Sequence, residues 1–163
     1  MGTGVLIYRT RPGLGHPETA GLVKKAVSAV LEAEGVTAPC RVDVTLTDDG
    51  TIHRINFENR GVDSPTDVLS FPMAELEPGK FCPESCEKDL DTGELLLGDM
   101  VISIPRCEAQ GEEFGHGYRR EVSYLAVHSA LHLLGYDHVD EGEGRRRMRE
   151  REDAIMESLG IGR

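Results

Sequence analysis

Three of the six histidines in this 163-residue chain lie within one short segment. His128 and His132 are four residues apart, and His138 follows them beyond Gly135. Side chains four residues apart on a helix share one face, with Cβ atoms about 5–6 Å apart, so both imidazoles can bind one ion. Gly135 permits the left-handed turn that ends a helix, which lets the chain double back and deliver His138. Three neutral imidazoles leave one tetrahedral position for water, as in catalytic zinc sites.

The alternative for these histidines is an ordinary structural role. Residues 122–134 are apolar on nearly every side, which predicts a buried helix. An unpaired polar group inside such a helix costs about 1–3 kcal/mol, so buried imidazoles need partners. We therefore favour a metal site formed by all three histidines, whereas His128 and His132 without His138 would leave the two interpretations evenly balanced.

The histidine spacing is also that of a large class of zinc peptidases, in which a glutamate after the first histidine acts as general base. Here that position is Ser129, which cannot accept a proton at neutral pH without a base of its own. His128 cannot be that base, because adjacent side chains on a helix do not face each other. A hydrolase of another bond is therefore favoured, with a zinc peptidase or amidase as the alternative.

A second segment, residues 56–72, predicts the end of a helix, a turn and a short strand. Arg60 lies where the helix meets the turn. Its guanidinium stays charged and presents a fork that suits phosphate oxygens. The alternative for a single arginine at this place is a surface residue or an ion pair with Asp63 or Asp67.

Together with residues 97–103, these two segments resemble the YbeY family of metal-dependent, single-strand-specific endoribonucleases. The three motifs occur in the family's order, over about residues 52–138. The resemblance implies one zinc ion bound by His128, His132 and His138, and a substrate-contacting Arg60. It also implies work on precursor ribosomal RNA, in small-subunit 3′-end maturation and ribosome quality control, with the ribosome or its proteins as partners. One position departs from the family, which commonly has glycine where this chain has Ser129.

The expected reaction is cleavage of single-stranded RNA by a metal-activated water, with Arg60 and His128 as catalytic residues. Zinc lowers the pKa of a bound water to about 7, although three imidazoles also suit nickel or another divalent transition metal. Arg60 would neutralise charge on the phosphate. Asp137 could orient a metal ligand or bond a backbone amide at the turn, and attack by the ribose 2′-hydroxyl stays open. A non-catalytic ribosome-assembly factor with a structural metal is a further alternative.

The composition indicates a globular protein, with 39 % hydrophobic and 29 % charged residues. No apolar run approaches the roughly 20 residues of a membrane span, and the N-terminus has no signal-peptide pattern. We therefore expect a cytoplasmic protein with no membrane or DNA partner. The four cysteines have no zinc-ribbon spacing, although Cys82 and Cys86 could bind a second metal or form a labile disulfide.

The net charge of −11 argues against a broad nucleic-acid-binding surface. Residues 75–94 hold seven acidic residues against two lysines, so this segment accounts for −5 of that charge. Acidic residues also alternate with a cluster of arginines near the C-terminus, which favours a solvated, salt-bridged helix over an RNA-binding face. That cluster comprises Arg145, Arg146, Arg147, Arg149 and Arg151.

The element pattern predicts one α+β domain over residues 1–163, with residues 75–94 as an acidic surface insertion. A mixed four-stranded sheet would pack with about five helices, and the histidine helix would lie at the centre. The first helix is expected to bury Leu22, Ala26, Val30 and Ala33, and residues 112–120 to separate the helix opened by Pro105 from the histidine helix. The predicted strands are 5–8, 41–47, 68–71 and 95–104. Besides the helix opened by Pro105, the predicted helices are 17–34, 49–59, 122–134 and 141–159.

Overall fold

One mixed sheet forms the framework of the computed structural model, which describes residues 3–137 and 142–161. The strands are β1 (Thr3–Arg9), β2 (Cys40–Thr47), β3 (Val68–Pro72) and β4 (Leu95–Ser103). Strand β1 runs in parallel beside β2, and β2 runs in parallel beside β4, whereas β3 lies antiparallel to β4 at the sheet edge. The predicted α+β class with a mixed four-stranded sheet is confirmed.

Within the described ranges five helices pack with this sheet, as expected, and the histidine helix lies among them. It contacts the first, third and fifth helices as well as β3 and β4, so its central place is confirmed. The helices are α1 (Thr19–Ala33), α2 (Asp49–Arg60), α3 (Ile104–Glu113), α4 (Gly117–Leu133) and α5 (Glu143–Ser158).

Helix α4 begins earlier than the sequence pattern predicts, at Gly117 rather than Val122. Glu121, at the start of its second turn, looks like a solvated residue in the sequence but is buried. The Glu121 carboxylate is 2.7 Å from His116 Nε2 and accepts a hydrogen bond of 2.6 Å from Gln110 Nε2. These partners make burial of the charge tolerable, and the break between α3 and α4 shrinks to residues 114–116.

The helices bury two separate hydrophobic clusters on the two faces of the sheet. The larger cluster unites α1, α4 and α5 with alternate residues of the strands, such as Val42, Val44 and Leu46 of β2. A smaller cluster beneath α2 consists of Ile52, Leu69 and Val101. Alternate residues of β4 thus pack on opposite faces, as the period of a strand requires.

The buried side of α1 differs in part from the predicted one. Ala26 and Val30 are buried as expected, but Leu22 is only half-buried and Ala33 is exposed. The buried face of α1 is rotated about the helix axis from the predicted one, so that Val23, Val27 and Leu31 face α4 and the sheet. An apolar pattern with several acceptable faces leaves this choice to tertiary packing.

The segment between β3 and β4 consists mainly of turns and isolated bridges. Residues 83–85 form one short 3-10 turn, and single bridges join Glu77 to Lys80 and Lys88 to Leu95. All four cysteines are free thiols, with Cys40 and Cys107 buried. Across the described ranges, no helix is long and apolar enough to cross a membrane.

Candidate functional site

A cleft of about 960 Å³ opens between the C-terminal end of α4 and the edge strand β3. His128 and His132 line it from α4, and Arg60 lines it from the end of α2. The cleft also includes residues 72–76 after β3 and residues 135–137 after α4. The structure therefore brings the two distant sequence motifs to one place.

The Nε2 atoms of the two imidazoles on α4 face each other. His128 Nε2 lies 3.2 Å from His132 Nε2. At the opposite side of each ring, Nδ1 has an acceptor: a Glu152 carboxylate oxygen for His128, and the Tyr136 carbonyl oxygen, at 2.8 Å, for His132. Because Nδ1–H donates to these oxygens, each neutral ring carries its lone pair on Nε2.

This pair of nitrogens has the separation that a tetrahedral ion requires. Zinc–nitrogen bonds of about 2.0–2.1 Å place two ligand nitrogens about 3.3 Å apart, close to the observed 3.2 Å. His128 and His132 could therefore hold such an ion. The expected third ligand, His138, lies outside the described residues, and within those residues no group of three candidate ligands converges.

The carboxylate behind His128 was not predicted from the sequence. Glu152 is buried on α5, and besides His128 it accepts a hydrogen bond of 3.0 Å from Tyr124 Oη. Burial, followed by the charge of Glu152, raises the pKa of Tyr124, so the phenol keeps its proton and donates it. One signal was present in the sequence: Glu152 is a charged residue at helical spacing from Met148 and Ile155, on the apolar face of α5.

The turn after α4 is anchored from two other helices. Tyr136 Oη donates to Glu34 at 2.7 Å, and Arg151 Nε donates to the second oxygen of the same carboxylate at 2.7 Å. Burial, together with the hydrogen bond to Glu34, raises the pKa of Tyr136 to about 12. The turn that presents the Tyr136 carbonyl to His132 is thus fixed by Glu34 at the end of α1 and by Arg151 in the middle of α5.

Arg60 reaches the cleft from the last turn of α2. Gly61 adopts a left-handed conformation with φ 71°, which ends the helix and directs the chain towards β3. In the described part of the chain, the only hydrogen bond of the Arg60 guanidinium goes to the amide oxygen of Asn56, at 3.5 Å, and Arg60 forms no ion pair there. The alternative pairing with Asp63 or Asp67 does not occur, because Asp63 lies 2.8 Å from His53 Nε2 and Asp67 accepts from Gln110.

Ser129 and Asp137 occupy different environments beside the histidines. Ser129 is fully buried, and its hydroxyl shares a hydrogen bond of 2.6 Å with the hydroxyl of Ser70 on β3. It therefore joins α4 to the edge strand and does not face the cleft as a base. Asp137 is exposed and lines the cleft, so it is placed where a cleft ligand could meet it.

The site thus combines lone-pair nitrogens on one wall with a guanidinium on another. Nitrogens of this kind bind a Lewis-acidic metal, and a guanidinium fork attracts an anionic group such as a phosphate. A cleft with both features is suited to a metal-assisted reaction at a negatively charged ester.

Comparisons with known proteins place the chain in a family that acts on RNA. The profile of the family described as Endoribonuclease YbeY matches residues 10–160 of the chain. A protein named Endoribonuclease YbeY from Clostridium kluyveri is 44 % identical over 146 residues, which cover 86 % of this chain and 88 % of that protein. One of the same name from Thermoanaerobacter sp. is 46 % identical over 142 residues, covering 87 % and 88 %.

A solved structure is similar in fold. The solution structure of TM1509 from Thermotoga maritima aligns with a TM-score of 0.57 and 22 % identity, and the alignment covers 95 % of this chain and 91 % of the other. At that identity the likeness concerns the architecture alone.

Gly135 should be far less tolerant of alanine than Gly35, which ends α1 with the same hydrogen-bond pattern. Both have positive φ, 101° and 72°, but a Cβ on Gly135 would collide with the Leu76 carbonyl oxygen, whereas a Cβ on Gly35 meets nothing within 4 Å. We expect Gly135→Ala to lower the free energy of unfolding by about 1–3 kcal/mol more than Gly35→Ala. Urea denaturation measures both values. Equal losses would show that the contact with Leu76 does not restrict this position.

The hydroxyls of Ser70 and Ser129 should show energetic coupling. Replacing either serine with alanine removes the single hydrogen bond between β3 and the residue after His128. A double-mutant cycle of Ser70→Ala, Ser129→Ala and the double variant should give a coupling free energy of about 0.5–1.5 kcal/mol in urea denaturation. Strictly additive losses would mean that the bond contributes nothing to stability.

Proposed function

The chain belongs to the YbeY family of endoribonucleases, and on that premise we propose that it cleaves single-stranded RNA with the aid of a divalent metal ion, most suitably zinc. The observation that supports this proposal most directly is the convergence of His128 Nε2 and His132 Nε2 in the cleft that Arg60 also lines. A metal site and an anion-binding group at one place match the chemistry of phosphodiester cleavage.

The histidines, their two hydrogen-bond partners and Arg60 each have a defined part in the proposed reaction. His128 and His132 hold the metal through Nε2, with His138 as the predicted third ligand. Glu152 and the Tyr136 carbonyl keep both rings in the tautomer and orientation that this requires. Zinc bound there would supply Lewis acidity and a water deprotonated near neutral pH. Arg60 neutralises the charge that develops on the phosphate oxygens.

We propose precursor ribosomal RNA as the substrate, in small-subunit 3′-end maturation and ribosome quality control, with the ribosome or its proteins as partners. This part of the proposal rests on family membership. It implies a cytoplasmic place of action, where that RNA is processed. The peptidase alternative has little support in the site, because Ser129 occupies the position of the general base and is buried against Ser70.

Replacing Arg60 should separate catalysis from metal binding. Arg60→Ala removes the only guanidinium known to line the cleft among the described residues, so we expect cleavage of single-stranded RNA to fall about 10²–10³-fold in kcat. The metal content, measured by elemental analysis, should stay at the wild-type level. His132→Ala should lose both metal and activity.

Arg54→Ala is the matched control, because Arg54 is an exposed arginine of α2 that does not line the cleft. It should cleave RNA as the wild type does. Unchanged activity of Arg60→Ala would exclude the assigned role of Arg60. A wild-type protein that leaves RNA intact but unfolds on chelation would support a structural metal in a non-catalytic assembly factor instead.

Glu152 should affect metal affinity without contacting the ion. Glu152→Gln retains the side-chain volume but weakens the hold on His128 Nδ1, so we expect zinc affinity to fall about 10–100-fold in chelator competition. Glu150→Gln is the control, since Glu150 is exposed on the same helix. Wild-type affinity in a folded Glu152→Gln protein would contradict this role.

A further inference from the structure

A second, smaller cavity also borders His128, where Glu152 contacts its ring. Its volume is about 160 Å³, below the roughly 300–1,000 Å³ of pockets that enclose whole small molecules. The cavity therefore suits a compact group rather than a complete nucleotide. It is lined by Tyr124, His128, Arg145, Met148, Arg149 and Glu152.

His128 lines both the cleft and this cavity. A phosphate held by Arg60 in the cleft and an anion held in the cavity would consequently flank the same imidazole. Successive phosphates of a single RNA strand could occupy the two places, since both open beside one reacting centre. The geometry thus offers two anion-binding positions where the family activity requires one.

Both carboxylate oxygens of Glu152, which lines the cavity, already accept hydrogen bonds. Glu152 uses one oxygen for His128 and the other for the Tyr124 hydroxyl. Its negative charge is therefore directed towards these partners, and Arg149 of α5 is the group that remains to meet a ligand. A cavity with this lining favours an anion.

The structure divides the arginine cluster of α5 into two groups. Arg146 lies 3.8 Å from Glu143, Arg147 donates to the Pro78 carbonyl at 3.0 Å, and Arg151 pairs with Glu34. These three residues serve the helix surface and the contacts with neighbouring segments. They correspond to the salt-bridged helix that the sequence pattern favours.

Arg145 and Arg149 form the second group. They are four residues apart on one face of α5, both are exposed, and both line the cavity beside His128. Within residues 3–137 and 142–161, Arg149 makes no hydrogen bond or ion pair. An exposed guanidinium held at the mouth of a cavity, with none of its donors used inside the described protein, is available to an anionic ligand.

We propose that Arg149, at the cavity that Arg145 also lines, forms a phosphate subsite that binds the RNA backbone next to the scissile phosphate, at the side of His128 where Glu152 lies. The inference rests on the proposed RNA cleavage and extends it to a second contact. It also fits the charge of the chain: with a net charge of −11, binding to RNA requires local arginines rather than a broad basic face.

The test compares two RNA substrates that differ in the phosphates available. A dinucleotide has only the scissile phosphate, whereas a ten-nucleotide single strand also has flanking ones. Arg149→Ala should lower kcat/KM on the longer RNA on the order of tenfold and leave the dinucleotide unaffected. Arg149→Lys should recover part of the loss, and Arg146→Ala, the control on the same helix, should behave as wild type.

Salt dependence provides a second readout. Because each phosphate contact contributes about −0.7 to the slope of log affinity against log salt for a single strand, Arg149→Ala should make that slope shallower by about 0.7. Equal losses on both RNAs, or none, would refute the subsite while wild-type cleavage upholds the proposed function. Failure of the wild-type protein to cleave either RNA would refute both.

Discussion

Because most of α4 is buried, each buried polar group that it carries must find a partner inside the protein, and the architecture of the site follows from which neighbours supply those partners. Glu121 is paired by His116 and Gln110, Ser129 by Ser70, and His128 by Glu152. The neighbours α3, β3 and α5 each provide one of these groups. The elements around α4 are therefore arranged by its hydrogen-bonding needs as well as by its apolar surface.

The parts of the structure that follow from local patterns could be predicted. Alternation in β2, the apolar composition of α4 and the turn residue Gly135 each depend on neighbours in the chain, and these elements were placed to within a few residues. Family resemblance added the relation between Arg60 and the histidines, which no spacing rule contains. The structure then placed Arg60, His128 and His132 in one cleft.

The parts that depend on contacts between distant elements could not be predicted. The pairing of His128 with Glu152 joins residues 24 positions apart, and that of Glu34 with Arg151 joins residues 117 apart. The early start of α4 depends on partners that reach Glu121 only after folding. For the same reason the five arginines of α5 look alike in the sequence, although the fold places Arg145 and Arg149 at the cavity beside His128 and the other three elsewhere.

The support of His128 by α5 has a thermodynamic consequence. Glu152 reaches His128 only when α5 is docked on α4, and the same helix helps fix the Tyr136 turn through Arg151 and Glu34. An ion that binds the two imidazoles more tightly in the docked state must, by linkage, favour docking by the same factor. Docking of α5 and binding of the ion to α4 would then be coupled equilibria. A change that weakens docking would weaken ion binding, and loss of the ion would weaken docking.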